Sequence, residues 1–472
     1  MTSDRPMRTA ADLAGRRVLV LGLARSGIAA ARFASDAGAV VTAYDRRAAA
    51  ELDQALTALA GRPVTSLLGV EPADLEAAFE AADVVVTSPS VSARFPTTDP
   101  WLRDLLLAAE ADGTLVVSEV ELFLRLTRAR IAAITGTKGK TTTSSLLARM
   151  LERGAIAHVL GGNIGQPLIE RADELTADDW AVLELSELQL PTISRGADVA
   201  VYTNVTADHL DRHGSVAAYR AVKARLAELS VEHGVVVLNA DDPGCRELGD
   251  QLRGDVRWYG TGDGPLAAGV RDGWLTLDGE RLLPVADVHL PGLPMLRNVL
   301  AAALGASLVG ATHAAIGGAI RDFRGVAHRL ETVGEWGGIR FVNDSMATIP
   351  AATIAALEAF GERPVVLIAG GQGKGLALGA VGEAIAARAR SVVLIGDLAG
   401  PLEAAIAGRV PVARAADMRD AVERAAEAAR PGDVVLLAPA AASFDMFTDY
   451  AARGDAFRAA AEAIGPSLGA PA

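Results

Sequence analysis

The chain has 472 residues, which is too long for a single hydrophobic core, so we expect two to four domains and favour three. Its formal net charge of −13 argues against nucleic acid as the main partner, because phosphate binding favours a basic surface. The single cysteine, Cys245, rules out an internal disulfide framework and fits a reduced, cytoplasmic setting. No run of about 18 apolar residues predicts a membrane span.

The first predicted unit is a βαβ arrangement with a glycine turn. Residues 16–22 (RRVLVLG) predict a buried strand, residues 28–37 a helix, and residues 40–44 a second strand that ends at Asp45. The turn 22–27 (GLARSG) is similar to a dinucleotide-binding fingerprint, except that alanine replaces the middle glycine and hinders close approach to a pyrophosphate. A nicotinamide-dependent oxidoreductase is therefore one alternative, although that function does not explain the second glycine loop.

A second unit begins near residue 118 and contains this second loop. The predicted strand 130–135 runs into the loop 136–142 (GTKGKTT), and a helix follows. Backbone N–H groups at such a helix N-terminus cradle phosphate oxygens, Lys140 would reach the β- and γ-phosphates, and the Thr141 hydroxyl would bind Mg²⁺. Ile134 occupies the position of the first Walker glycine, so the loop is a shortened variant.

Polar segments follow the later strands of the second unit. The segment 161–165 (GGNIG) comes after the first helix, and Glu184 ends a buried strand, where a carboxylate is a natural Mg²⁺ ligand. The segments 203–211 (TNVTADHLD) and 219–223 (YRAVK) follow, the latter on a helix. The unit ends in an Ala-rich helix at residues 298–308.

From about residue 328 a third unit alternates strands with helices. The predicted strands are 339–343, 364–369, 391–395 and 433–438, and the predicted helices are 351–360 and 418–429. Strands that alternate with helices imply a parallel sheet. The sequence therefore predicts the α/β class for the whole chain.

Lysine is scarce, and its few positions indicate chemistry. Lys and Arg together number 45, of which only four are lysines: Lys138, Lys140, Lys223 and Lys374. Arginine replaces lysine at an exposed position with little consequence. It cannot replace a compact ammonium that binds phosphate, or an amine that must lose its proton. We therefore expect these lysines to mark functional sites.

Taken together and in order, the motifs resemble those of the Mur ligases. The motifs are GTKGKTT, GGNIG, LELSELQ, TNVTADHLD, YRAVK, AHRLE, NDS and GGQGKG, and the likeness covers nearly the whole chain. The sequence is most similar to the members that add glutamate to UDP-N-acetylmuramoyl-L-alanine in peptidoglycan precursor synthesis. The resemblance implies a monomeric, ATP-dependent amide-bond ligase that works through an acyl-phosphate. It implies three domains: a Rossmann-like UDP-substrate-binding domain (1–117), a P-loop-type ATPase domain (118–326) and a Rossmann-like, amino-acid-binding domain (327–472).

The resemblance also implies roles for individual residues. ATP would contact Gly136, Thr137, Lys138, Gly139, Lys140, Thr141, Thr142, Asn298, Arg329 and Asp344. Two Mg²⁺ ions would be held by Thr141, Glu184, His209 and Lys223, with Lys223 carrying a carbamate. The catalytic set would be Lys140, His209 and Lys223. The muramoyl substrate and glutamate would contact Ser26, Asp45, Arg46, Arg47, Ser88, Asn163, Ser186, Gln189, Thr348, Lys374 and Ser443.

Two of these residues have plain structural alternatives. His209 could be a loop histidine paired with Asp208 or Asp211. Lys223 could be an ordinary lysine on an amphipathic helix. Neither alternative needs a metal ion.

Departures from the family pattern bear on which glutamate enantiomer is used. Pro294-Met295 replaces a usual His-Asn pair, which removes one nucleotide contact. For glutamate the informative position is Met346, which stands where D-glutamate-adding members typically carry lysine. A charge-assisted contact is worth roughly 1.5–3 kcal/mol, so the loss of one ammonium would change where a dicarboxylate rests. The hydrophobic residue after Asn-Asp-Ser and the Thr-x-Pro-like continuation at residues 348–350 resemble the branch that adds L-glutamate, so we favour L-glutamate. D-glutamate is the alternative, and a folylpolyglutamate synthase-like ligase is a more distant one.

Overall fold

Three β-sheets, each flanked by helices, organise the chain. The computed structural model describes residues 7–89, 91–95, 97–206, 215–290, 292–373 and 375–469. Contacts divide the chain into two units, one ending at Phe323 and the other beginning at Arg324. The first unit contains two of the sheets and the second unit contains the third. The predicted α/β class is confirmed.

The first sheet is parallel throughout. Its strands are β1 (Arg17–Leu21), β2 (Val40–Asp45), β3 (Val64–Leu68), β4 (Val84–Thr87) and β5 (Leu115–Ser118). Its helices are α1 (Arg25–Asp36), α2 (Asp53–Leu59), α3 (Pro72–Ala81) and α4 (Pro100–Ala111). The strand order is β3-β2-β1-β4-β5, so the chain changes direction across the sheet between β1 and β4. Open α/β sheets bind ligands at the carboxyl ends of the strands at such a point.

Helix α1 begins at Arg25, earlier than the predicted start at residue 28. The sequence prediction assigned Gly27 to the turn, whereas this glycine lies in the first helical turn. A Cβ at this position would come within 1.8 Å of Gly22 O. Gly27 therefore allows the helix to start directly beside the end of β1.

A short helix, α5 (Glu119–Leu126), connects the first sheet to the central one. The Ser118 side chain caps it by accepting a hydrogen bond from Glu121 N at 3.1 Å. Apolar residues of α5 belong to a hydrophobic core that includes strands of both sheets. This shared core explains why the two sheets form one unit. The domain limits 1–117, 118–326 and 327–472 stay a prediction.

The central sheet has nine strands among the described residues. They are β6 (Arg130–Thr135), β7 (His158–Gly162), β8 (Trp180–Glu184), β9 (Val199–Tyr202), β10 (Val235–Asn239), β11 (Asp255–Tyr259), β12 (Ala268–Arg271), β13 (Trp274–Leu277) and β14 (Glu280–Pro284). The helices are α6 (Lys140–Arg153), α7 (Val216–Ser230), α8 (Pro243–Gln251), α9 (Leu293–Val309) and α10 (His313–Asp322). Strand β6 pairs in parallel with β8 and β9, and β12 to β14 form an antiparallel edge. The carboxyl ends of β6, β8 and β9 therefore meet.

The third sheet forms the core of the second unit. Its strands are β15 (Glu331–Trp336), β16 (Ile339–Asn343), β17 (Val365–Gly370), β18 (Ala389–Ile395), β19 (Val412–Arg414) and β20 (Val434–Leu437). Its helices are α11 (Pro350–Glu358), α12 (Gly379–Arg388), α13 (Ala399–Ile406), α14 (Met418–Ala428) and α15 (Tyr450–Ile464). The order is β15-β16-β20-β17-β18-β19, and only β15 runs antiparallel to its neighbour. None of the described helices is long and apolar enough to cross a membrane.

Candidate active site

The glycine loop joins β6 to α6 inside the central sheet. Gly136 has a φ of 145° and Gly139 a φ of 90°, a backbone region that other residues rarely adopt. A Cβ on Gly136 would lie 1.9 Å from Thr203 Oγ1, and a Cβ on Gly139 would lie 2.3 Å from Asn298 Oδ1. Glycine is therefore required at both positions. The loop ends at the N-terminus of α6, where the helix dipole favours an anion.

The segment after β9 holds this loop in shape. Thr137 N donates to Asn204 O at 3.0 Å, and Lys138 N donates to Asn204 Oδ1 at 3.0 Å. Thr137 Oγ1 donates to Thr206 O and accepts from Thr206 N, each at 3.1 Å, and lies 3.0 Å from the Tyr219 hydroxyl. A loop fixed in this way loses little conformational freedom when a ligand binds.

Lys140 and Lys223 converge on one carbonyl oxygen. Lys140 Nζ donates to Gly136 O and to Thr137 O, both at 3.0 Å. Lys223, on α7, is 0% exposed, and its Nζ donates to Gly136 O at 3.1 Å and to Thr135 Oγ1 at 3.3 Å. Like charges this close repel each other, and a nearby anion or the loss of one charge would relieve the repulsion.

Glu184, at the carboxyl end of β8, has a carboxylate that is 1% exposed. Asn163, an exposed residue, donates from Nδ2 to Glu184 Oε1 and from N to Glu184 O, both at 2.8 Å. Glu184 Oε2 is buried and has no hydrogen-bond partner among the described residues. A carboxylate oxygen that is buried without a partner destabilises the fold unless a cation or a hydrogen-bond donor binds it. The residue therefore fits the predicted Mg²⁺ ligand.

The other predicted metal and phosphate residues of the loop lie at the start of α6. The Thr141 side chain is buried and that of Thr142 is half-buried, whereas Lys138 is exposed. Among the described residues, no three His, Cys, Asp or Glu side chains come together as a metal cluster. A Mg²⁺ site at Glu184 would therefore need ligands of another kind within this part of the chain, such as the Thr141 hydroxyl.

Ser186 and Gln189 lie in the segment that follows Glu184, and both are buried. Gln189 Oε1 accepts from Ser186 N at 3.0 Å and from Ser186 Oγ at 3.1 Å. The glutamine thus fixes the direction of the serine hydroxyl. The structure brings these two predicted substrate residues together.

Asn298, the residue predicted on the nucleotide side, packs from α9 against Gly139. Its side chain is buried, and Nδ2 points at Met295 Sδ at 3.6 Å, a distance suited to a weak sulfur acceptor. The adjacent Arg297 donates from Nε to Asp241 Oδ2 at 2.7 Å, which ties α9 to the segment after β10. The structure therefore places Asn298 beside the glycine loop, as a nucleotide contact requires.

The residues predicted to bind the UDP moiety lie at the carboxyl ends of β1, β2 and β4. Asp45 is buried and accepts from Leu23 N at 2.8 Å and from Arg47 N at 3.0 Å. Burial opposes the ionisation of Asp45, but the Arg47 guanidinium and these N–H groups outweigh it and hold the pKa below its usual value. The remaining candidates at these strand ends are the half-buried Ser26 and Ser88 and the exposed Arg46. Through the hydrogen bond from Leu23 N, Asp45 holds the glycine turn in its conformation.

In the second unit, Arg329 lies between two strained residues beside Asp344. His328 has a φ of 62° and Leu330 a φ of 44°, values that non-glycine residues rarely adopt and that cluster at functional sites. Asp344 Oδ1 accepts from Leu330 N at 3.1 Å. Burial raises the pKa of Asp344 to about 6, although the Leu330 N–H and the charge of Arg329 oppose this rise. The structure thus brings the exposed Arg329 and the buried Asp344 together.

We expect Asp344→Asn to change how stability depends on pH. The pKa of Asp344 rises from 3.8 to about 6 on folding, so its contribution to stability is complete below this window and is lost as pH rises through it. Asparagine keeps the acceptor for Leu330 N and carries no charge. In urea unfolding the variant should exceed the wild type in stability at about pH 7.5, and the difference should shrink at about pH 4.5. Asp45→Asn should show the opposite sign, and an Asp344→Asn difference that does not vary with pH would contradict the assignment.

Arg453, on α15, organises the predicted substrate loops of the second unit, and no sequence motif identifies it. It is 0% exposed, and its guanidinium donates to Ser345 Oγ, Ser345 O, Ala441 O and Ala442 O at 2.9–3.1 Å. Burial lowers its pKa to about 10, which leaves it charged at neutral pH. Ser443, a predicted substrate residue, is buried directly after these carbonyls. Only long-range packing reveals this arginine.

Three further candidates complete the predicted set. Thr348 is half-buried in the segment between β16 and α11. His209 and Lys374 lie outside the described residues. Their roles in metal and glutamate binding stay predictions.

Family models match three stretches of the chain. Residues 134–306 match the Mur ligase middle domain, and residues 328–441 match the Mur ligase, glutamate ligase domain. Residues 7–98 match the alanine dehydrogenase/PNT C-terminal domain, in agreement with the Rossmann-like topology of the first sheet.

Curated relatives match almost the full length. The chain is 39% identical over 460 residues to a protein of Solibacter usitatus, covering 96% of this chain and 99% of the relative. It is 40% identical over 466 residues to a protein of Anaeromyxobacter dehalogenans, covering 95% and 98%. The chain belongs to the Mur ligase family. This Mur ligase is therefore an ATP-dependent enzyme that forms amide bonds, as predicted.

Solved structures share the fold of this Mur ligase. The UDP-N-acetylmuramate-alanine ligase of Thermotoga maritima aligns with a TM-score of 0.55 at 19% identity, covering 95% of this chain and 99% of that one. The murein peptide ligase of Psychrobacter arcticus aligns with a TM-score of 0.50 at 16% identity, covering 97% and 100%. At these identities the likeness supports the fold alone.

The relatives from Solibacter usitatus and Anaeromyxobacter dehalogenans are both named UDP-N-acetylmuramoylalanine-D-glutamate ligase. These names count against the expectation of L-glutamate and favour its D-glutamate alternative. The expectation rested on Met346 and on the Thr-x-Pro-like continuation that follows it. Arg453 supplies a buried positive charge in the same unit that the sequence did not reveal.

Proposed function

We propose that this Mur ligase joins D-glutamate to UDP-N-acetylmuramoyl-L-alanine, with ATP converted to ADP and phosphate, in cytoplasmic synthesis of peptidoglycan precursors. The observation that carries the chemistry is the convergence of Lys140 and Lys223 on the glycine loop. The names of full-length relatives at 39% and 40% identity support the choice of substrates.

The glycine loop and Lys140 would bind the phosphates of ATP. Lys140 Nζ, which contacts the Gly136 and Thr137 carbonyls, is within reach of an anion seated on the loop. Asn298 beside Gly139 would contact the nucleotide. From the second unit, Arg329 would contact phosphate and Asp344 the ribose, following the family resemblance.

Glu184 and Thr141 would hold Mg²⁺, together with His209 and Lys223. Bound Mg²⁺ neutralises phosphate charge, so that a second anion, the carboxylate of the substrate, can approach the γ-phosphate. Asn163 holds Oε1 of Glu184, which leaves Oε2 as the oxygen for the ion. That division of roles between the two oxygens is what an oriented metal ligand needs.

A carbamate on Lys223 suits the charge distribution around Gly136. Addition of CO₂ to the neutral amine forms a C–N bond, releases one proton and leaves an anionic group. The change removes one of the two positive charges that share Gly136 O. The anionic product would then favour a second Mg²⁺ near the loop.

The reaction then proceeds in two displacements. An oxygen of the L-alanine carboxylate attacks the γ-phosphorus, and the bond to the β-phosphate oxygen breaks to release ADP. The amine of glutamate attacks the acyl-phosphate carbon, and inorganic phosphate leaves as the amine loses a proton. Lys140 stabilises negative charge on the transferred phosphoryl group, and Ser186 and Gln189 bind the muramoyl substrate in this proposal.

Thr348, Lys374 and Ser443 would bind the glutamate. The Arg453 guanidinium contacts the carbonyls of Ala441 and Ala442, immediately before Ser443. A buried positive charge beneath this loop favours a carboxylate there, because the local dielectric is low. This contribution does not depend on a lysine at position 346.

We expect ADP release with D-glutamate, and roughly 10- to 100-fold less with L-glutamate, the ratio that one charge-assisted contact supplies. The assay contains ATP, Mg²⁺, UDP-N-acetylmuramoyl-L-alanine and one glutamate enantiomer at a time. Reactions that lack the muramoyl substrate provide the background rate. Turnover with L-glutamate alone would restore the L-specific assignment, and no turnover with either enantiomer would exclude the proposed reaction.

A further inference from the structure

Helix α5 places two buried carboxylates between the first sheet and the central sheet. Glu119 is 3% exposed and Glu121 is 1% exposed, and both lie in the first turn of the helix. Helix α5 follows β5 without a linker, because Ser118 ends the strand and caps the helix. The direction of both side chains is therefore set by the first sheet.

Glu119 contacts the segment that follows β7. Its Oε1 accepts from Ile169 N at 3.1 Å. This segment begins with Asn163, whose side chain holds Oε1 of Glu184. Burial raises the pKa of Glu119 to about 7, helped by the nearby Glu170 and opposed by the Ile169 and Leu168 N–H groups. Burial of an ionisable carboxyl group lowers the stability of the fold, so its presence here indicates a role other than packing.

Glu121 contacts the segment that follows β8. Its Oε2 accepts from Ser194 N at 2.8 Å, and its Oε1 accepts from Ser194 Oγ and from Arg125 Nε. Ser118 Oγ also lies 2.8 Å from Thr192 Oγ1 in the same segment. This segment begins directly after Glu184 and carries Ser186 and Gln189.

The two contacted segments begin at the neighbouring ends of β7 and β8. Strands β7 and β8 are neighbours, and the segments that follow them carry the Asn163 amide and the Glu184 carboxylate that it orients. Glu119 holds the segment after β7 at Ile169, in its middle, and Glu121 holds the segment after β8 at Ser194, near its end. Oε1 of Glu184 is held only from Asn163 among the described residues, so the position of Asn163 affects the orientation of the carboxylate.

We propose that Glu119 and Glu121 are positioning residues that orient Glu184 for Mg²⁺ through the segments after β7 and β8. The α5 pair, meaning these two residues, thereby links the sheet that carries the UDP-site candidates to the metal carboxylate. This assignment rests on the proposed role of Glu184 as a Mg²⁺ ligand.

The test measures metal affinity directly. Mn²⁺ replaces Mg²⁺ and is titrated into the full-length protein loaded with β,γ-methylene-ATP, with free Mn²⁺ followed by electron paramagnetic resonance. Loss of a direct partner of a metal ligand typically costs roughly 10- to 100-fold in metal affinity. Because Glu119 and Glu121 act on Glu184 only through the two segments, we expect Glu119→Ala and Glu121→Ala to weaken Mn²⁺ binding by about tenfold, the lower end of this range. Glu119→Gln keeps the acceptor for Ile169 N and should bind Mn²⁺ nearly as the wild type does.

Two further variants protect the test against misfolding. Glu119→Asp keeps the charge but shortens the side chain, so it should weaken Mn²⁺ binding even if the alanine variants are insoluble. Asp83→Asn is the matched control, because Asp83 accepts from Arg17 N at 2.8 Å at the opposite ends of the first-sheet strands. Mn²⁺ affinities for Glu119→Asp and the soluble alanine variants within twofold of the Asp83→Asn value would overturn the proposal.

The Mg²⁺ dependence of ADP release supplies a second measurement, and its failure can be distinguished from that of the Mn²⁺ titration. The Mg²⁺ concentration for half-maximal ADP release should rise in the alanine variants, while KM for ATP at saturating Mg²⁺ changes little. Equal loss of kcat in every variant with an unchanged Mg²⁺ dependence would indicate a structural role only. A wild type that releases no ADP would exclude the proposed reaction, whereas the Mn²⁺ titration would still decide the role of the α5 pair.

Discussion

Lys140→Ala is expected to reduce ADP release on the order of 10²–10³-fold, the cost of removing one preorganised group that stabilises transition-state charge. Lys140 Nζ lies on the glycine loop, where it contacts Gly136 O and Thr137 O at 3.0 Å. The alanine variant loses this ammonium, while the Lys223 ammonium still contacts Gly136 O from α7. Steady-state ADP release, measured with all substrates saturating, tests this expectation.

Lys138→Ala is the matched control for Lys140. Lys138 is exposed, and the contacts of its backbone with Asn204 survive the substitution. Although position 138 belongs to the predicted ATP contacts, we expect a smaller loss of kcat than in Lys140→Ala, because the backbone contacts that hold the loop remain. Lys140→Arg should also be impaired, because a planar guanidinium does not occupy the place of a compact ammonium. Wild-type activity in Lys140→Ala would remove this residue from the catalytic set.

Lys223→Ala is also expected to reduce turnover by orders of magnitude, about 10²–10³-fold on the same reasoning. The side chain is 0% exposed and its Nζ contacts Gly136 O and Thr135 Oγ1. If a carbamate forms on this nitrogen, a small carboxylic acid such as acetate should enter the vacated space and restore part of the activity. Turnover is measured across a series of acetate concentrations at constant ionic strength.

Rescue by an amine distinguishes the two possible roles of Lys223. Methylammonium supplies a cation, as the unmodified lysine does, whereas acetate supplies the anionic group of a carbamate. Rescue by methylammonium alone would show that the positive charge matters and would contradict the carbamate. Tyr219→Phe removes the hydroxyl near Thr137 Oγ1 and should respond to neither compound.

Local sequence patterns predicted those strands and loops whose own residues are characteristic, such as a run of apolar residues or a glycine-rich turn. The buried strand 130–135 and its glycine loop occur as expected, as do the strands that end at Asp45, Glu184 and Asn343. The antiparallel edge β12 to β14 and strand β15 had no such signal. These strands are only four to six residues long, so few positions carry the alternation that predicts a strand.

The site residues likewise divide into those that a local motif predicted and those that only tertiary contacts revealed. Lys140, Lys223 and Glu184 stand in motifs, and the structure places all three at the carboxyl ends of central strands or on helices that face them. Arg453, Glu119 and Glu121 were not selected, because a charged residue in the sequence normally predicts an exposed position. Their burial becomes visible only when distant segments supply the partners.

The sequence by itself determined the α/β class and the family, and it selected the glycine loop and the lysines for which functions are proposed. These features depend on residue types at short spacings, which physical chemistry constrains locally. Only the tertiary structure decided that Lys140 and Lys223 share one carbonyl, and that one carboxylate oxygen of Glu184 is buried without a hydrogen-bond partner among the described residues. It also decided that α5, which follows the first sheet, holds the segments after β7 and β8 through Glu119 and Glu121. Those arrangements join residues far apart in the chain, so their energies arise from packing and burial that no short segment possesses.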